Sequence, residues 1–362
     1  MAPSKSTAIA TLALISALAI YLVFLIPPSS ADLVPEALSA YDNGAYPDGL
    51  YLRKHYTGIP ILDRIFSAYG GFFALVVDGR DQAMWLFCVW FLPQLCGVLI
   101  FCYWEADRAQ KGALASRPTV VCIAAQALTA GVTIPLFFIS HLLTVPLAPN
   151  TPLPPNPVSK ARALLPAITL GYLLPSVALI FPLPSFDLNT VQLISAIWQP
   201  FPLYISAALF ILQCFGNGTN TPNEGYFQPL KRAYIVFAVL SAVSHVSVLT
   251  YMFTSISAPS FAEVFLPPYW FPDLHSEHVD GNALPAYRVA ARTLLQHDWF
   301  TMTLAAFVFF FFSLRALKIQ RGVLGWTWKI LTGVVFGPGA AMCFAAVERE
   351  EAIWAARTKR HE

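Results

Sequence analysis

The chain has 362 residues, of which 57% are hydrophobic and only 12% charged, and its mean hydropathy is +0.59. Soluble domains carry about 25% charged residues, so this composition excludes an ordinary soluble protein and indicates a membrane protein. The formal net charge of +2 and the lack of a long basic cluster argue against a nucleic-acid partner. The six cysteines form no CxxC pair, so neither a disulfide framework nor a zinc site is expected.

The N-terminal part of the chain is predicted to hold one membrane span and one interfacial segment. Residues 7–27 are apolar over a length that exceeds the hydrophobic part of a signal sequence, so we expect an uncleaved first span. Residues 28–81 are expected to form a loop with an interfacial hairpin, because Asp63 and the Gly70-Gly71 pair interrupt an apolar pattern of helical spacing. A full span in this segment is the alternative, and it would change the orientation of every later span.

A seven-span bundle is predicted over residues 82–347, followed by a charged tail over residues 348–362. Its apolar runs are each long enough to cross a hydrocarbon core. They cover residues 83–104, 118–143, 164–184, 190–213, 233–257, 297–314 and 324–347. The predicted fold class is therefore all-α: a single polytopic membrane domain over residues 1–362 with about eight transmembrane helices.

The second of these spans ends in a carboxylate. Residues 82–112 begin with about twenty apolar and aromatic residues and then reach Glu105, Asp107 and Arg108. A carboxylate at the edge of the bilayer is costly if it is buried without a role, so such residues are candidates for a functional site. We therefore take Glu105 as the reference point of the predicted site.

The order of the spans predicts that several acids share one face of the membrane. With eight spans, Glu105, Asp187, Asp298 and Glu348 all lie on the same face, and His141 lies on the other. Carboxylates gathered at one mouth of an aromatic bundle suggest a pocket in which a desolvated acid keeps its proton near neutral pH. Such an acid can protonate an alkene or an epoxide.

Each of these acids also has an ordinary explanation at the level of the lipid headgroups. Asp187 precedes an apolar run and suits the N-cap of the next helix. Glu105 and Asp298 are the stronger candidates, because Trp104 and Trp299 adjoin them. Aromatic faces stabilise a carbocation by about 0.5–2 kcal/mol per ring, although aromatic residues also collect at membrane interfaces.

The fifth span is interrupted near the middle of the membrane. Trp198, Gln199 and Pro200 break its apolar run, and Gln199 either lines a cavity or hydrogen-bonds the carbonyl groups freed by the break. The acids and histidines of residues 273–280 have no recognised metal-ligand spacing, and the chain lacks a DDxxD motif. No metal and no cofactor are expected.

Four segments of the chain resemble a known family. They are YTGIPILDRIFSAYGGFFALVVDG at residues 56–79, the acid-to-glycine pattern of residues 105–112, WQPFP at residues 198–202 and LLQHD at residues 294–298. Together they are similar to the fungal integral-membrane proteins of meroterpenoid and indole-diterpene gene clusters, which include terpene cyclases of the ascochlorin and ascofuranone type. The resemblance covers most of the chain.

The resemblance implies a metal-free cyclase of eight helices. Such an enzyme protonates the terminal epoxide or alkene of a prenylated aromatic or polyketide and guides the cation through ring closure. By analogy with smaller meroterpenoid cyclases, whose acid pair is a Glu and an Asp, the resemblance implies Glu105 and Asp298 as acid and partner. The chain departs from the family pattern at Asp107, Gln110 and His297, and these departures bear on its substrate and activity.

The predicted site combines these assignments. The catalytic residues are Glu105 and Asp298, and the expected location is the endoplasmic reticulum, as for the family. The partners are membrane lipid and a lipophilic prenylated small molecule that enters from the bilayer. The predicted substrate-binding residues are Tyr103, Trp104, Asp187, Trp198, Gln199 and Trp299.

A second class of protein stays open, namely a non-catalytic polytopic membrane protein such as a transporter, a receptor or a scaffold. A transporter is disfavoured because its two halves should contain paired broken helices, and only the fifth span looks strongly broken. A receptor is disfavoured because the sequence predicts eight spans rather than seven.

Overall fold

A computed structural model describes residues 4–26, 30–148, 151–182, 186–215, 225–270, 278–279, 282–319 and 323–359. The predicted all-α class is confirmed, because helices account for nearly all regular structure in these ranges. A two-residue antiparallel pairing of β1 (His278–Val279) with β2 (Asn282–Ala283) is a small addition to the helices. The acids and histidines of residues 273–280 fall outside the side chains that the structure describes.

The helices follow in chain order. The first eight are α1 (Lys5–Ile20), α2 (Ser30–Asn43), α3 (Pro60–Val77), α4 (Gln82–Glu105), α5 (Pro118–Leu128), α6 (Ala130–Thr144), α7 (Pro157–Ile168) and α8 (Leu174–Ile180). The remaining seven are α9 (Leu188–Trp198), α10 (Phe201–Phe215), α11 (Phe227–Thr254), α12 (Phe261–Phe265), α13 (Ala286–Ala316), α14 (Val323–Phe336) and α15 (Pro338–Thr358). Single π-helical turns at Tyr21–Leu25 and Thr169–Leu173 extend α1 and join α7 to α8.

Helix starts follow simple local rules. Proline occupies the first turn of α3, α5, α7 and α15, where its missing N–H costs nothing. Asp81 caps α4 by accepting a hydrogen bond from the Met84 amide at 2.9 Å, and Asp187 caps α9 through the Thr190 amide at 2.8 Å.

By length and composition, six helices in the described ranges are suited to cross a membrane. They cover Lys5–Leu25, Pro60–Val77, Gln82–Arg108, Pro157–Ile180, Phe227–Thr254 and Ala286–Ala316. Helices α9 and α10 form a seventh span if the pair, bent by 55°, is counted as one. The break that the sequence predicts at residues 198–200 is therefore present.

Differences from the predicted eight spans arise at helix breaks. The predicted third span divides at Thr129 into α5 and α6, and the predicted eighth divides at Gly337 into α14 and α15. The predicted loop of residues 28–81 instead contains α2 and α3, and α3 fits the alternative of a full span.

The Gly70-Gly71 pair has a different role from the predicted interruption, because α3 continues through it. A Cβ atom on Gly71 would lie 2.5 Å from Leu52 Cδ1 and 3.0 Å from the Tyr46 hydroxyl, and one on Gly70 would contact the Tyr56 hydroxyl. The two glycines therefore allow the α2–α3 connection to approach the face of α3 closely.

The predicted charged tail is also largely helical. Helix α15 runs to Thr358, and its Arg349 and Glu350 side chains are buried against the bundle. Glu348 and Glu351 behave as expected of border residues: the half-exposed carboxylate of Glu348 pairs with Lys329 at 2.6 Å, and Glu351 is exposed.

Helix α4 lies at the centre of the bundle. It is apolar on all sides, buried along most of its length and packed against α7, α11 and α15, as expected of a core helix. Helix α6 packs between α1 and α13. The two groups of functional interest lie along α4, α6 and α13.

Candidate functional site

A cavity of about 380 Å³ lies beside the central helix. Its lining comes from α2 to α6, α9, α10 and α13, and from the π turn after α1. The aromatic lining residues are Phe24, Tyr46, Tyr69, Phe72, Phe73, Phe91, Trp198 and Phe201. Among the described lining residues, Asp298 is the one ionisable acid, and none is lysine, arginine or histidine. The cavity is therefore an apolar, aromatic chamber with a single carboxyl group.

Asp298 reaches the cavity because α13 is longer than predicted. The helix begins at Ala286 rather than at residue 297, so Asp298 lies in its interior and not in its first turn. Its side chain is 7% exposed, and Oδ1 accepts a hydrogen bond from the Gly131 amide. The Ala130 amide lies near the same carboxyl group. Because the first amides of a helix lack partners within the helix, the start of α6 is a natural site for a carboxyl group.

Thr129, which joins α5 to α6, has a strained backbone. Its φ of 66° and ψ of 154° fall in a region that is almost restricted to glycine. Its buried hydroxyl lies near the Asp298 carboxyl group. The conformation turns the α6 amides toward Asp298, and strain of this kind concentrates at functional sites.

Gly131 permits this close approach of α6 to α13. A Cβ atom there would contact Thr301 Oγ1, and it would lie 2.9 Å from the carbonyl oxygen of Asp298. Any side chain at this position would therefore displace the helix that carries the acid.

Glu105 lies in a different environment, a buried cluster of charges. Its Oε1 accepts hydrogen bonds from Arg108 at 2.5 Å and Arg349 at 2.9 Å. Its Oε2 lies 2.6 Å from His141 Nε2 and 3.1 Å from Arg349. Glu350 pairs with the same two arginines at 2.6 Å and 2.8 Å. We call these five residues the ion cluster.

The predicted pairing of Glu105 with Asp298 at one mouth of the bundle is wrong. Glu105 contacts His141 near the end of α6, and Asp298 contacts Gly131 at its start. These two positions on α6 are ten residues, or about 15 Å, apart along the helix axis. The prediction that His141 lies on the opposite face from Glu105 is wrong for the same reason. The parity argument fails because it assumed uninterrupted spans.

The aromatic neighbours of the two acids, Tyr103, Trp104 and Trp299, are not among the described residues that line the cavity. Tyr103 is buried and donates a hydrogen bond to the Pro202 carbonyl at 2.9 Å. Trp104 stacks on Tyr226 and lies under the Arg108 guanidinium, at the ion cluster. Trp299 packs edge-on against Trp90, with ring centroids 4.9 Å apart.

The other predicted substrate-binding residues divide in the same way. Trp198 lines the cavity, and its ring nitrogen donates to Ser176 Oγ at 2.8 Å. Gln199 is buried at the bend, and neither polar atom of its side chain has a hydrogen-bond partner among the residues that the structure describes. Asp187 is exposed at the start of α9, where it acts as the N-cap that its sequence position suits.

Several residues of the cavity escaped the sequence reasoning. Thr129 is not a glycine or proline, so no sequence signal marks the break at this position. Tyr46 lies between Gly44 and Gly49 in a turn-rich segment, which indicates a loop but not its contact with a cavity. Arg349 and Glu350 resemble an ordinary charged tail, because their partners are distant in sequence.

The described residues contain no group of three or more histidine, cysteine, aspartate and glutamate side chains placed to hold a metal ion. A polytopic helical bundle that encloses an apolar, aromatic chamber with one acid is the class of protein that the fold and the cavity define. Residues 7–354 match the CtvD domain family, and the chain belongs to this family.

Three fungal proteins that are similar to this chain are named terpene cyclases. The terpene cyclase ascI of Acremonium egyptiacum is 25% identical over 321 residues, which cover 83% of this chain and 80% of that protein. The terpene cyclase penA of Penicillium crustosum is 25% identical over 64% of this chain and 61% of its own length. The terpene cyclase janA of Penicillium janthinellum is 25% identical over 66% and 65%, respectively.

The match spans less than two thirds of the last two relatives. No solved structure matches this chain. The relatives confirm the resemblance to fungal terpene cyclases and support an enzymatic role.

Proposed function

We propose that the protein is a membrane-bound terpene cyclase that closes rings on a prenylated aromatic or polyketide substrate after protonation by Asp298. The observation that carries the proposal is the single carboxyl group among the described residues of a largely apolar and aromatic cavity wall. The names of the relatives support the same activity. By the family resemblance, the membrane is that of the endoplasmic reticulum.

The cavity suits a lipophilic substrate of moderate size. Its volume of about 380 Å³ lies within the usual range of roughly 300–1,000 Å³ for small-molecule pockets. A water-poor, apolar wall also protects a carbocation from hydrolysis. The aromatic faces of residues such as Phe91, Trp198 and Phe201 stabilise positive charge as it moves along the chain of the substrate.

The reaction balances without a co-reactant. The Asp298 carboxyl donates its proton to the oxygen of a terminal epoxide, or to a terminal alkene carbon, and the epoxide C–O bond or the π bond of the alkene breaks to leave a cation. Internal alkenes attack this cation in turn and form the ring bonds. The last cation loses a proton, which returns to the Asp298 carboxylate directly or through water, so the acid is restored and the product has the same mass as the substrate.

Glu105 takes no direct part in this scheme. Both of its oxygens already accept hydrogen bonds within the ion cluster, and it does not line the cavity as described. The proposal therefore assigns the acid to Asp298 and a structural role to Glu105.

The test compares two Asp→Asn variants in a heterologous fungal host that is fed a farnesylated, terminally epoxidised phenol. Asp298→Asn keeps the size of the side chain and a carbonyl oxygen for the Gly131 amide, but it removes the proton donor. Loss of a general acid costs roughly 100- to 10,000-fold in rate, so the cyclised product of unchanged mass should disappear. Asp187→Asn is the matched control, because asparagine is an equally good N-cap at this exposed position.

Expression and thermal unfolding in detergent accompany the product analysis. The proposal predicts wild-type amounts of folded protein for both variants and product only for Asp187→Asn. Full activity of Asp298→Asn would disprove the assignment of the acid. No product from the wild type with phenolic, polyketide or unepoxidised prenylated substrates would favour the non-catalytic alternative.

A further inference from the structure

Three hydrogen-bond donors of one short segment, residues 129–131, lie around the Asp298 carboxyl group. Oδ1 of Asp298 accepts a hydrogen bond from the Gly131 amide. The Ala130 amide and the buried Thr129 hydroxyl lie near the same carboxyl group. Thr129, Ala130 and Asp298 all line the cavity. The donors are therefore placed next to the acid on the side of the protein where a ligand can reach it.

Thr129 adopts a strained backbone to reach this arrangement. Its φ of 66° and ψ of 154° are unfavourable for a residue with a branched Cβ atom. Such a conformation persists only where the surrounding structure imposes it. Helix α6 is held there by its close approach to α13, since a Cβ atom on Gly131 would lie 2.9 Å from the Asp298 carbonyl oxygen. The packing of the two helices thus fixes Thr129 relative to the acid.

The donors interact differently with the acid before and after proton transfer. While Asp298 is neutral, each hydrogen bond to its carboxyl group joins two neutral groups. When the O–H bond of the acid breaks, the proton passes to the substrate and the electron pair stays on the carboxyl group, which becomes a carboxylate. Hydrogen bonds to a charged acceptor are roughly twice as strong as neutral ones. Interactions that strengthen as the transition state forms accelerate the reaction.

The cavity wall provides no cationic side chain for the same task. None of its described lining residues is lysine, arginine or histidine. A bare carboxylate beside a carbocation could also attack it and form an ester. Donors that hold the electron pairs of the carboxylate oppose both the cost of its charge and this side reaction.

We propose that the Thr129 hydroxyl donates a hydrogen bond to the Asp298 carboxyl group, and that this bond strengthens as the proton leaves and stabilises the conjugate base of the acid. The inference rests on the proposed function and deepens it. Thr129 acts through Asp298, so it is a positioning residue. Its loss should slow proton transfer and leave substrate binding almost unchanged.

Two variants without the hydroxyl test this role, and they differ in backbone strain. Thr129→Val keeps the branched shape and the strain, whereas Thr129→Gly accepts the positive φ without strain. In purified full-length protein with epoxidised farnesylphenol, loss of a hydrogen bond to a charged group should lower kcat roughly 10- to 100-fold in both variants. KM of Thr129→Val should stay close to that of the wild type. Thr129→Ser keeps the hydroxyl and should retain most of the activity.

Thr144→Val is the matched control. Thr144 lies at the other end of α6, its hydroxyl donates to the Ser140 carbonyl at 2.7 Å, and it does not line the described cavity. This variant should keep the kcat of the wild type, which would exclude a general effect of removing a threonine hydroxyl from α6.

Infrared difference spectra test the hydrogen bond without turnover. The bands that Asp298→Asn removes from the spectrum of the wild type are those of the Asp298 carboxyl group. Because the frequency of these bands depends on the hydrogen bonds to the carboxyl group, they should move in Thr129→Val and Thr129→Gly. They should stay in place in Thr129→Ser and Thr144→Val.

The outcomes separate this inference from the proposed function. Unmoved bands, or a Thr129→Ser variant as slow as Thr129→Val, would overturn the role of the hydroxyl. A slow Thr129→Val beside a fast Thr129→Gly would assign the effect to the backbone and would also overturn it. Moved bands in a protein that forms no cyclised product would support the contact and refute the cyclase. Cyclisation at the wild-type rate by both hydroxyl-free variants would support the cyclase and refute the inference.

Discussion

Glu105 and Asp298 are both buried carboxyl groups next to α6, yet their surroundings differ in almost every respect. Glu105 is fully buried, with two guanidinium groups and one imidazole at hydrogen-bonding distance. Asp298 accepts a hydrogen bond from a backbone amide and lines a cavity that has no basic side chain among its described residues. One carboxyl is enclosed by its own protein, and the other is open to a ligand.

The comparison shows that burial alone does not distinguish an acid held by charged partners from one that lines a cavity. A buried carboxylate with charged partners forms a closed unit in which every charge depends on the others. Asp298, whose carboxyl accepts a hydrogen bond from the amide at the start of α6, also lines a cavity that can hold a ligand. The partners of each acid, rather than its depth, distinguish the ion cluster from the cavity.

The largest effect on stability is expected from Glu105→Gln. The ion cluster contains two arginines and two glutamates, so this change leaves Arg108 and Arg349 with Glu350 alone. An uncompensated buried charge costs about 3–5 kcal/mol, so the amount of folded protein and the midpoint of thermal unfolding in detergent should fall sharply. Asp298→Asn should change neither by a comparable amount.

A charge-balanced double variant separates stability from catalysis at Glu105. Glu105→Gln combined with Arg108→Gln leaves the Arg349–Glu350 pair, which is 2.8 Å apart, and should recover part of the lost stability. If Glu105→Gln instead left folding unchanged and abolished turnover, the comparison would be wrong and Glu105 would act on the substrate.

A smaller loss is expected from Gly131→Ala, which disturbs the cavity side of the comparison. The added methyl group would press on Thr301 and on the Asp298 carbonyl, and overpacking of this kind costs about 1–3 kcal/mol. Because α6 must shift away from α13, the hydrogen bond to Asp298 lengthens and product formation should fall together with stability.

Gly333→Ala is the control for this substitution. Its added Cβ would lie 3.5 Å from Phe307, which is ordinary contact, and alanine is the better helix former. Equal stability of the two variants, measured as thermal unfolding in the same detergent, would show that α6 and α13 are not held in close contact at Gly131.

The sequence contains enough information for the helical class and for part of the cavity. Long apolar runs specify spans directly, and the Trp198-Gln199-Pro200 break appears as a 55° bend that places Trp198 in the cavity wall. Asp298 stands out in sequence as an acid in an apolar helix. These features are local, so the residues near each position are sufficient to predict them.

The remaining features depend on contacts between distant segments. Arg349 contacts Glu105, and Glu350 contacts Arg108, across more than two hundred residues, and no residue near Glu105 in sequence predicts these partners. Thr129 breaks a span without a glycine or a proline, because the packing of α6 against α13 and α1 overrides its local preference. The prediction that Glu105 and Asp298 share one face of the membrane then failed, because it depends on counting every helix break correctly.

The smallest effect is expected from Trp198→Phe, which tests the aromatic wall rather than the acid. The change keeps an aromatic face in the cavity but removes part of the ring and the hydrogen bond to Ser176. Because one aromatic face contributes about 0.5–2 kcal/mol to a nearby cation, losing part of it should lower the rate by no more than roughly tenfold. The ratio of cyclised products should shift, because the wall also directs which alkene meets the cation.

Trp328→Phe is the control, since this side chain is 70% exposed on α14 and does not line the described cavity. Gas-chromatographic product profiles of the two variants, at matched amounts of folded protein, should differ only for Trp198→Phe. If both variants gave the wild-type profile and rate, the cation would not pass Trp198. The aromatic lining on that side would then serve only to pack the helices around α4.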